Sequence, residues 1–248
     1  YRNEKFYNII LGTDYYINSQ NVITLSGFYA FEGEDQPSNT NVKGYKNITQ
    51  LTSEWNRKEV TTADNPKYQY ELIYKRDFLD DEDHDLIFSA TGNLFSKDQS
   101  SEFFNTTVLG SDTFDDQQTR TFFREAEHTF KLDYTRPFGE VWNVEGGCQY
   151  ANNDVSNDFE VKDDLAGQWV VNNGLTNVFE FTQAVLGVYG MAAYESDTWG
   201  AQLGLRTENT KINTLLVNTK ESNDQNVTNL FPSFNTAYKF STNFSLQA

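Results

Sequence analysis

The chain has 248 residues and a net charge of −17, from 19 basic and 36 acidic side chains. This acidic balance argues against nucleic acid as a partner, because polyphosphate binding requires a basic groove. A content of 15% aromatic residues argues against disorder, and only four prolines are present, which favours long strands. A single cysteine, Cys148, excludes an intrachain disulfide, and no apolar run of about 18 residues predicts a transmembrane helix.

Apolar and polar side chains alternate along most of the chain, which predicts β-strands because successive side chains leave a strand on opposite faces. In chain order the alternation predicts five hairpins, at residues 5–32, 68–94, 126–150, 181–208 and 230–248. Each hairpin contains one short turn, near residues 19, 82, 138, 197 and 242. The polar segments between them are predicted to be long loops, with part of 45–60 continuing as strand: 34–62, 97–124, 152–177 and 209–229.

The central hairpin, residues 126–150, shows the pattern most clearly. One face carries apolar and aromatic side chains, and the other carries charges and amides. The apolar face includes Phe130, Leu132, Tyr134, Trp142 and Val144, and the polar face includes Lys131, Asp133, Asn143 and Glu145. Strands longer than ten residues exceed the usual length in soluble sandwiches and suffice to cross a bilayer at a tilt. We therefore expect the apolar face to contact lipid and the polar face to line a lumen.

The aromatic residues are concentrated close to the short turns, where they are expected to form a belt at one membrane interface. They are Tyr15, Tyr74, Phe78, Tyr134, Phe138, Trp142, Tyr194, Trp199, Tyr238, Phe240 and Phe244. Short turns at one end, long loops at the other and an outward apolar band are typical of outer-membrane barrels. The sequence thus predicts an all-β, antiparallel, up-and-down transmembrane β-barrel segment of about ten strands, with short periplasmic turns and long extracellular loops.

Several strands also carry motifs of a known family. The segment GLRTENT at 204–210 resembles its GLRxExT strand, and LFPS at 230–233 followed by AYKF at 237–240 resembles its LFPS…YK strand. Residues 179–189 and DYTRPF at 133–138 also fit. Together they resemble the barrel region of TonB-dependent outer-membrane receptors, specifically the outer membrane protein beta-barrel family.

This resemblance implies a place in the bacterial outer membrane, in contact with its lipid, and energised uptake of a bulky nutrient. It also implies an N-terminal plug domain inside the barrel and a contact with TonB through that plug. Residues 1–248 show no plug and no TonB box. The chain is therefore expected to be a single-domain barrel segment, truncated at both ends, whose nutrient is not identified by the sequence.

The residue types required for catalysis or metal binding are not arranged for either purpose in the sequence. His84 and His128 lack the spacing of a zinc site, and the acidic turn Asp80–Asp83 lacks the spacing and glycine of an EF-hand loop. Nucleophile elbows and phosphate-binding glycine loops are absent. We therefore expect no enzyme activity, no catalytic residue, no cofactor and no metal.

Ligand capture is expected in the long loops, where the candidate residues are Trp55, Phe104, Phe114 and Trp169. Such aromatic side chains stack on a sugar or a chelate, or pack within their own loop, and the sequence leaves these alternatives open. Two further functions remain as alternatives. An outer-membrane barrel enzyme requires a His/Asp/Ser constellation at one rim, and a soluble β-sheet binding module would stay in solution without detergent.

Overall fold

A computed structural model describes residues 3–79, 83–111, 114–241 and 244–247. These residues form eleven strands: β1 Asn3–Asn18, β2 Asn21–Asn47, β3 Gln50–Asp77, β4 Asp85–Leu109, β5 Gln117–Phe138, β6 Trp142–Asp164, β7 Trp169–Val171, β8 Asn177–Glu195, β9 Trp199–Leu216, β10 Glu221–Ser241 and β11 Phe244–Gln247. Within the described ranges, no helix has the length and apolar character needed to cross a membrane.

All eleven strands belong to one antiparallel sheet. Ten of them follow chain order from β1 to β11, each paired with its sequence neighbour, and the short β7 pairs only with β6. The registers are long: β2 and β3 pair from Asn21 with Arg76 to Asn47 with Gln50. The prediction of an all-β, antiparallel, up-and-down architecture of about ten strands is therefore confirmed.

The short turns expected near 19, 138 and 197 are present, at residues 19–20, 139–141 and 196–198. At the last of these, Trp199 donates its backbone N–H to Oγ of Ser196 at 3.1 Å. Residues 80–82 of the predicted acidic turn, including Asp80, and residues 242–243 lie outside the described residues.

The predicted bounds of the four long loops are wrong, whereas the strand predicted within 45–60 is confirmed. Strands continue through most of these polar segments. The described connecting residues at this end are 48–49, 110–111, 114–116, 165–176, which include the short β7, and 217–220. Polar cross-strand contacts stabilise the extended pairs: the hydroxyls of Thr61 and Ser101 lie 2.6 Å apart on adjacent strands. Because polar residues occupy both faces here, the apolar alternation disappears although the strand continues.

The two faces of the sheet differ in exposure. In β5 the apolar positions Phe130, Leu132 and Tyr134 are exposed, whereas Lys131 and Asp133 between them are half-buried. Side chains on a concave face converge and shield one another, so this pattern assigns the charged face to the concave side. β6, β8 and β9 show the same alternation. The sheet therefore curves with its apolar face outward, as a barrel wall exposed to lipid does.

Aromatic side chains lie at two levels of the convex face. Near the short turns, the rings of Trp142 and Tyr194 are 5.1 Å apart. A second level, not foreseen from the sequence, contains Tyr7, Tyr29, Phe31, Tyr68 and Tyr70. Along β5, ten residues separate the two levels, which is ~33 Å along the strand and ~23 Å across the membrane at a tilt of ~45°. This spacing matches the apolar band of ~25 Å between the aromatic girdles of outer-membrane barrels.

Candidate functional site

The sheet extends far beyond the second aromatic level. In β3, Trp55 lies thirteen residues beyond Tyr68, which corresponds to ~40 Å along the strand. A crossing strand needs only ~9–11 residues, so more than half of each long strand in β2 and β3 lies outside the apolar band. We call this part of the sheet the extension.

A pocket of about 320 Å³ lies on the concave face of the extension. Its lining residues come from β3 to β6 and from the two connections that fold over them: Trp55, Arg57, Asn105, Phe114, Asp115, Gln117, Asp163 and Asn172. Registers place these strand residues on the concave side, since each is an even number of positions from a concave-face residue of its own strand. We call this the extension pocket.

Three hydrogen bonds fix residues 115–116 over the pocket. Asn105 donates its backbone N–H to Oδ1 of Asp116 at 2.6 Å and its side-chain amide to the carbonyl of Asp115 at 2.7 Å. The backbone N–H of Asp164 also donates to the carbonyl of Asp116 at 2.9 Å. These bonds hold Phe114 above Trp55, with ring centroids 4.5 Å apart.

Opposite charges lie on opposite walls of the pocket. The Arg57 guanidinium is 4.0 Å from the centre of the Phe103 ring, and no described residue provides it with a carboxylate partner. Asp163 accepts hydrogen bonds from Nε2 of Gln117 at 2.9 Å and from Nδ2 of Asn172 at 2.7 Å, so neutral amides, and not a cation, contact its carboxylate. The pocket therefore offers stacking surface, a cationic fork and hydrogen-bonding amides to one molecule.

The Oδ1 atom of Asn105 is buried and accepts no hydrogen bond from any residue that the structure describes. A buried carbonyl oxygen without a donor is unfavourable, because it has lost water and gained nothing in exchange. Asn105 lines the extension pocket, but this oxygen has almost no accessible surface and is not available to a molecule in the pocket.

The structure brings together two of the four aromatic residues proposed from the sequence. Trp55 and Phe114 are in contact and line the pocket. Phe104 pairs with Lys58, and Trp169 pairs with Asp164, which places both on the convex side. Arg57, Asn105, Gln117, Asp163 and Asn172 were not foreseen. The sequence indicates them only if the extension is taken as strand, because spacing by two residues then assigns those on the strands to one face.

Below the extension, charged side chains continue along the concave face. Nζ of Lys131 is 2.8 Å from Oδ2 of Asp133, and Oδ1 of the same carboxylate accepts a hydrogen bond from the hydroxyl of Tyr189. On β9, Nε of Arg206 is 2.6 Å from Oε1 of Glu208. These ion pairs form a polar wall in two adjacent rows of the concave face, where the sequence predicts a lumen.

The two histidines lie away from this wall. Nδ1 of His128 is 2.9 Å from the Tyr70 hydroxyl on the convex face, and Nε2 of His84 is 2.9 Å from the Tyr134 hydroxyl near the short turns. Over the described ranges, no three His, Cys, Asp or Glu side chains are grouped so that they could hold a metal ion. The concave face thus offers binding groups, and the histidines contribute to neither the wall nor the pocket.

Most of the chain matches one family of known proteins. Residues 76–248 match the model of the outer membrane protein beta-barrel family, which includes most of the pocket but not Trp55 or Arg57. Comparison with curated protein sequences gives no match.

Three solved structures are similar in fold. The ferric-catecholate import receptor Fiu from E. coli K12 is 8% identical with a TM-score of 0.49, over 97% of this chain and 47% of its own. The alcaligin receptor FauA from Bordetella pertussis is 9% identical with a TM-score of 0.45, over 97% and 39%. The ferric yersiniabactin uptake receptor FyuA from Yersinia pestis is 8% identical with a TM-score of 0.37, over 97% and 45%. The chain spans less than half the length of each.

The family match covers well over half of the chain and confirms the resemblance drawn from the strand motifs. It also agrees with the aromatic levels, the outward apolar band and the concave polar wall. The chain belongs to the outer membrane protein beta-barrel family and resides in the bacterial outer membrane.

Proposed function

We propose that this chain is part of the membrane-spanning barrel of a TonB-dependent outer-membrane receptor that takes up a bulky nutrient. Residues 1–248 then form one barrel segment, and the plug domain and the remaining strands belong to other parts of the same protein. The concave ion pairs of β5 and β9 would face that plug. TonB would act through the plug, as in receptors of this architecture.

The observation that carries this proposal is the continuity of the concave face. The polar wall beside the apolar band lies on the same face as the extension pocket, which is ~40 Å beyond the upper aromatic level. A molecule bound between Trp55 and Arg57 is therefore already on the lumen side of the sheet. Stacking, a cationic fork and the lining amides suit a ligand with a flat or ring-shaped surface and several polar groups.

Energised uptake is tested in cells with and without the gene. Cells are given a panel of labelled iron chelates and labelled oligosaccharides, in the presence and absence of a protonophore that collapses the inner-membrane gradient. We expect one class to accumulate only in energised cells that carry the gene. Equal accumulation with and without the protonophore would refute TonB-dependent transport.

The pocket is tested by a matched pair of substitutions. Trp55→Ala removes the ring that contacts Phe114 on the concave face, and Phe104→Ala removes an aromatic ring from the convex face of the adjacent strand. We expect Trp55→Ala to weaken binding of the transported class about tenfold, because buried aromatic contacts dominate binding energy. Phe104→Ala should leave it unchanged. Equal effects would remove the extension pocket from the ligand path.

Catalysis is not part of this proposal. The barrel-enzyme alternative requires a histidine near a nucleophile and a carboxylate at one rim. His128 is bonded to Tyr70 on the lipid-facing side, and His84 is bonded to Tyr134 beside the short turns, so neither reaches the extension pocket. The family assignment likewise favours a barrel that binds and transports over an enzyme or a soluble module.

A further inference from the structure

A second pocket, a shallow groove, lies on the outer, convex face of the sheet. It has a volume of about 510 Å³ and crosses β3 to β8 immediately beyond the upper edge of the apolar band. Two rows of cross-strand neighbours form its sides: Tyr68, Leu94, Ala126, Asp154 and Thr182 in the lower row, and Ser96, Arg124, Ser156 and Glu180 in the upper row. The row between them, Phe95, Glu125, Val155 and Phe181, also lines the concavity, at positions whose side chains leave the opposite face. Because the central side chains are small, the surface is indented there. We call this the outer groove.

The groove has an apolar half and a polar half. On the β3–β5 side its lower row consists of Tyr68, Leu94 and Ala126, which continue the lipid-facing band upward. On the β6–β8 side, Asp154 and Glu180 bring two carboxylates to the same cavity. An occupant that matches both halves has a hydrocarbon part and a polar part that carries charge.

Arg124 is the one cationic side chain among the residues that line the groove. Its Nη2 is 3.5 Å from Oγ of Ser156, and its guanidinium is 5.1 Å from the centre of the Phe122 ring. No ion pair joins Arg124 to a carboxylate of any described residue. By contrast Arg120, four residues farther from the band on the same strand, is bound by both oxygens of Asp98 at 3.0 and 2.8 Å.

A guanidinium without a carboxylate is a bidentate donor for a phosphate. The flanking hydroxyls of Ser96 and Ser156 add two donors of the kind that phosphate oxygens accept. A phosphate alone would be repelled by Asp154 and Glu180 beside it. An ammonium group linked to that phosphate would instead be attracted to these carboxylates, since opposite charges attract at short distance.

We propose that the outer groove binds a membrane lipid whose headgroup joins a phosphate to an amine, of the phosphoethanolamine type. The phosphate lies at Arg124, the ammonium lies toward Asp154 and Glu180, and the acyl chains run down over Leu94 and Ala126. This proposal does not depend on the transported nutrient, because the groove and the extension pocket lie on opposite faces of the sheet.

The test uses the full-length protein purified in detergent and titrated with phosphatidylethanolamine or phosphatidylglycerol in mixed micelles, with bound lipid counted by native mass spectrometry. The wild type should bind the amine-bearing lipid more tightly. Arg124→Gln should weaken binding of both lipids about tenfold, the loss expected for a charge-assisted contact. Arg120→Gln, on the same strand and face, should bind both as the wild type does. Equal binding by Arg124→Gln and the wild type would overturn the proposal.

The carboxylates are tested by selectivity, a property that misfolding would not shift in one direction. Asp154→Asn combined with Glu180→Gln should abolish the preference for phosphatidylethanolamine and retain binding of phosphatidylglycerol. A preference that survives this double substitution contradicts the assignment of the amine. Soluble phosphoethanolamine should compete poorly, and competition as strong as that of the lipid would show that the apolar half contributes nothing and would overturn the lipid assignment.

Discussion

Leu132→Arg places a charge in the middle of the proposed lipid-facing surface. Leu132 pairs with Phe88 on one side and Cys148 on the other, all on the convex face. It lies six residues from Phe138, at the lower end, and four from His128, at the upper end. At ~2.3 Å of membrane depth per residue for a strand tilted by ~45°, it is ~14 Å and ~9 Å from these two levels, close to the bilayer midplane.

An arginine near the midplane of a barrel costs about 2–4 kcal/mol of folding free energy. Each ~1.4 kcal/mol is tenfold in an equilibrium constant, so the folded fraction should fall by roughly 30- to 1000-fold relative to the unfolded one. Thr129→Arg is the control, because Thr129 pairs with Thr91 and Ala151 on the concave face. The natural Lys131, one residue from Leu132 at almost the same depth, already shows that this face accommodates a charge.

The assay is the urea dependence of folding of the full-length protein into phospholipid vesicles, followed by the electrophoretic shift of the folded barrel. We expect a large loss of stability for Leu132→Arg and a loss within ~0.5 kcal/mol for Thr129→Arg, as for substitutions away from a packed core. Equal losses for the two variants, or a larger loss for Thr129→Arg, would refute the assignment of faces.

Two further predictions concern the concave wall and the extension. A Cβ at Gly147 would lie 2.5 Å from the carbonyl oxygen of Leu132 and 2.7 Å from the Tyr189 ring, so Gly147→Ala should destabilise the barrel by about 1–3 kcal/mol. Gly27→Ala is the control, because the nearest neighbour of its Cβ would be 3.9 Å away, and it should not destabilise the barrel. Equal melting temperatures of the two variants would contradict this prediction. In the extension, the guanidinium of Arg120 lowers the pKa of Asp98. A pKa lower in the folded state stabilises the protein above the unfolded pKa, and this contribution is lost as the pH falls through the folded pKa. Asp98→Asn should therefore destabilise by less than ~1 kcal/mol at pH 7, since the pair is exposed, and by nothing in acid below that folded pKa; a difference independent of pH would contradict it.

Within the apolar band, the sequence sufficed to predict the architecture because lipid imposes a rule on every residue. Most side chains on the convex face of the band are apolar or aromatic, so strand, face and turn can be obtained from alternation. Phe130, Leu132 and Tyr134 lie on that face as expected, and the turns at 19–20 and 196–198 are where the alternation breaks.

The extension could not be predicted in this way, because water lies on both of its faces. Glu59 and Lys58 are both compatible with solvent, so consecutive polar residues give no periodic signal although β3 continues through them. Thr61 and Ser101 illustrate the same point: their hydroxyls are in contact between adjacent strands, but threonine and serine are also common in loops. Polar composition therefore indicated loops where the structure has strands.

The side chains of the extension can be assigned to the two faces by counting along each strand from the apolar band. Side chains alternate without interruption from Tyr70 to Trp55, so the lipid-facing position of Tyr70 determines that Trp55 and Arg57 lie on the lumen side. The same counting along β5 puts Arg124 on the lipid side. The two proposed sites are thereby separated by the sheet itself, and an insertion of one residue in β3 between the band and the pocket would move Trp55 to the outer face. Loss of nutrient binding together with unchanged lipid binding in such a variant is the outcome that this geometry requires.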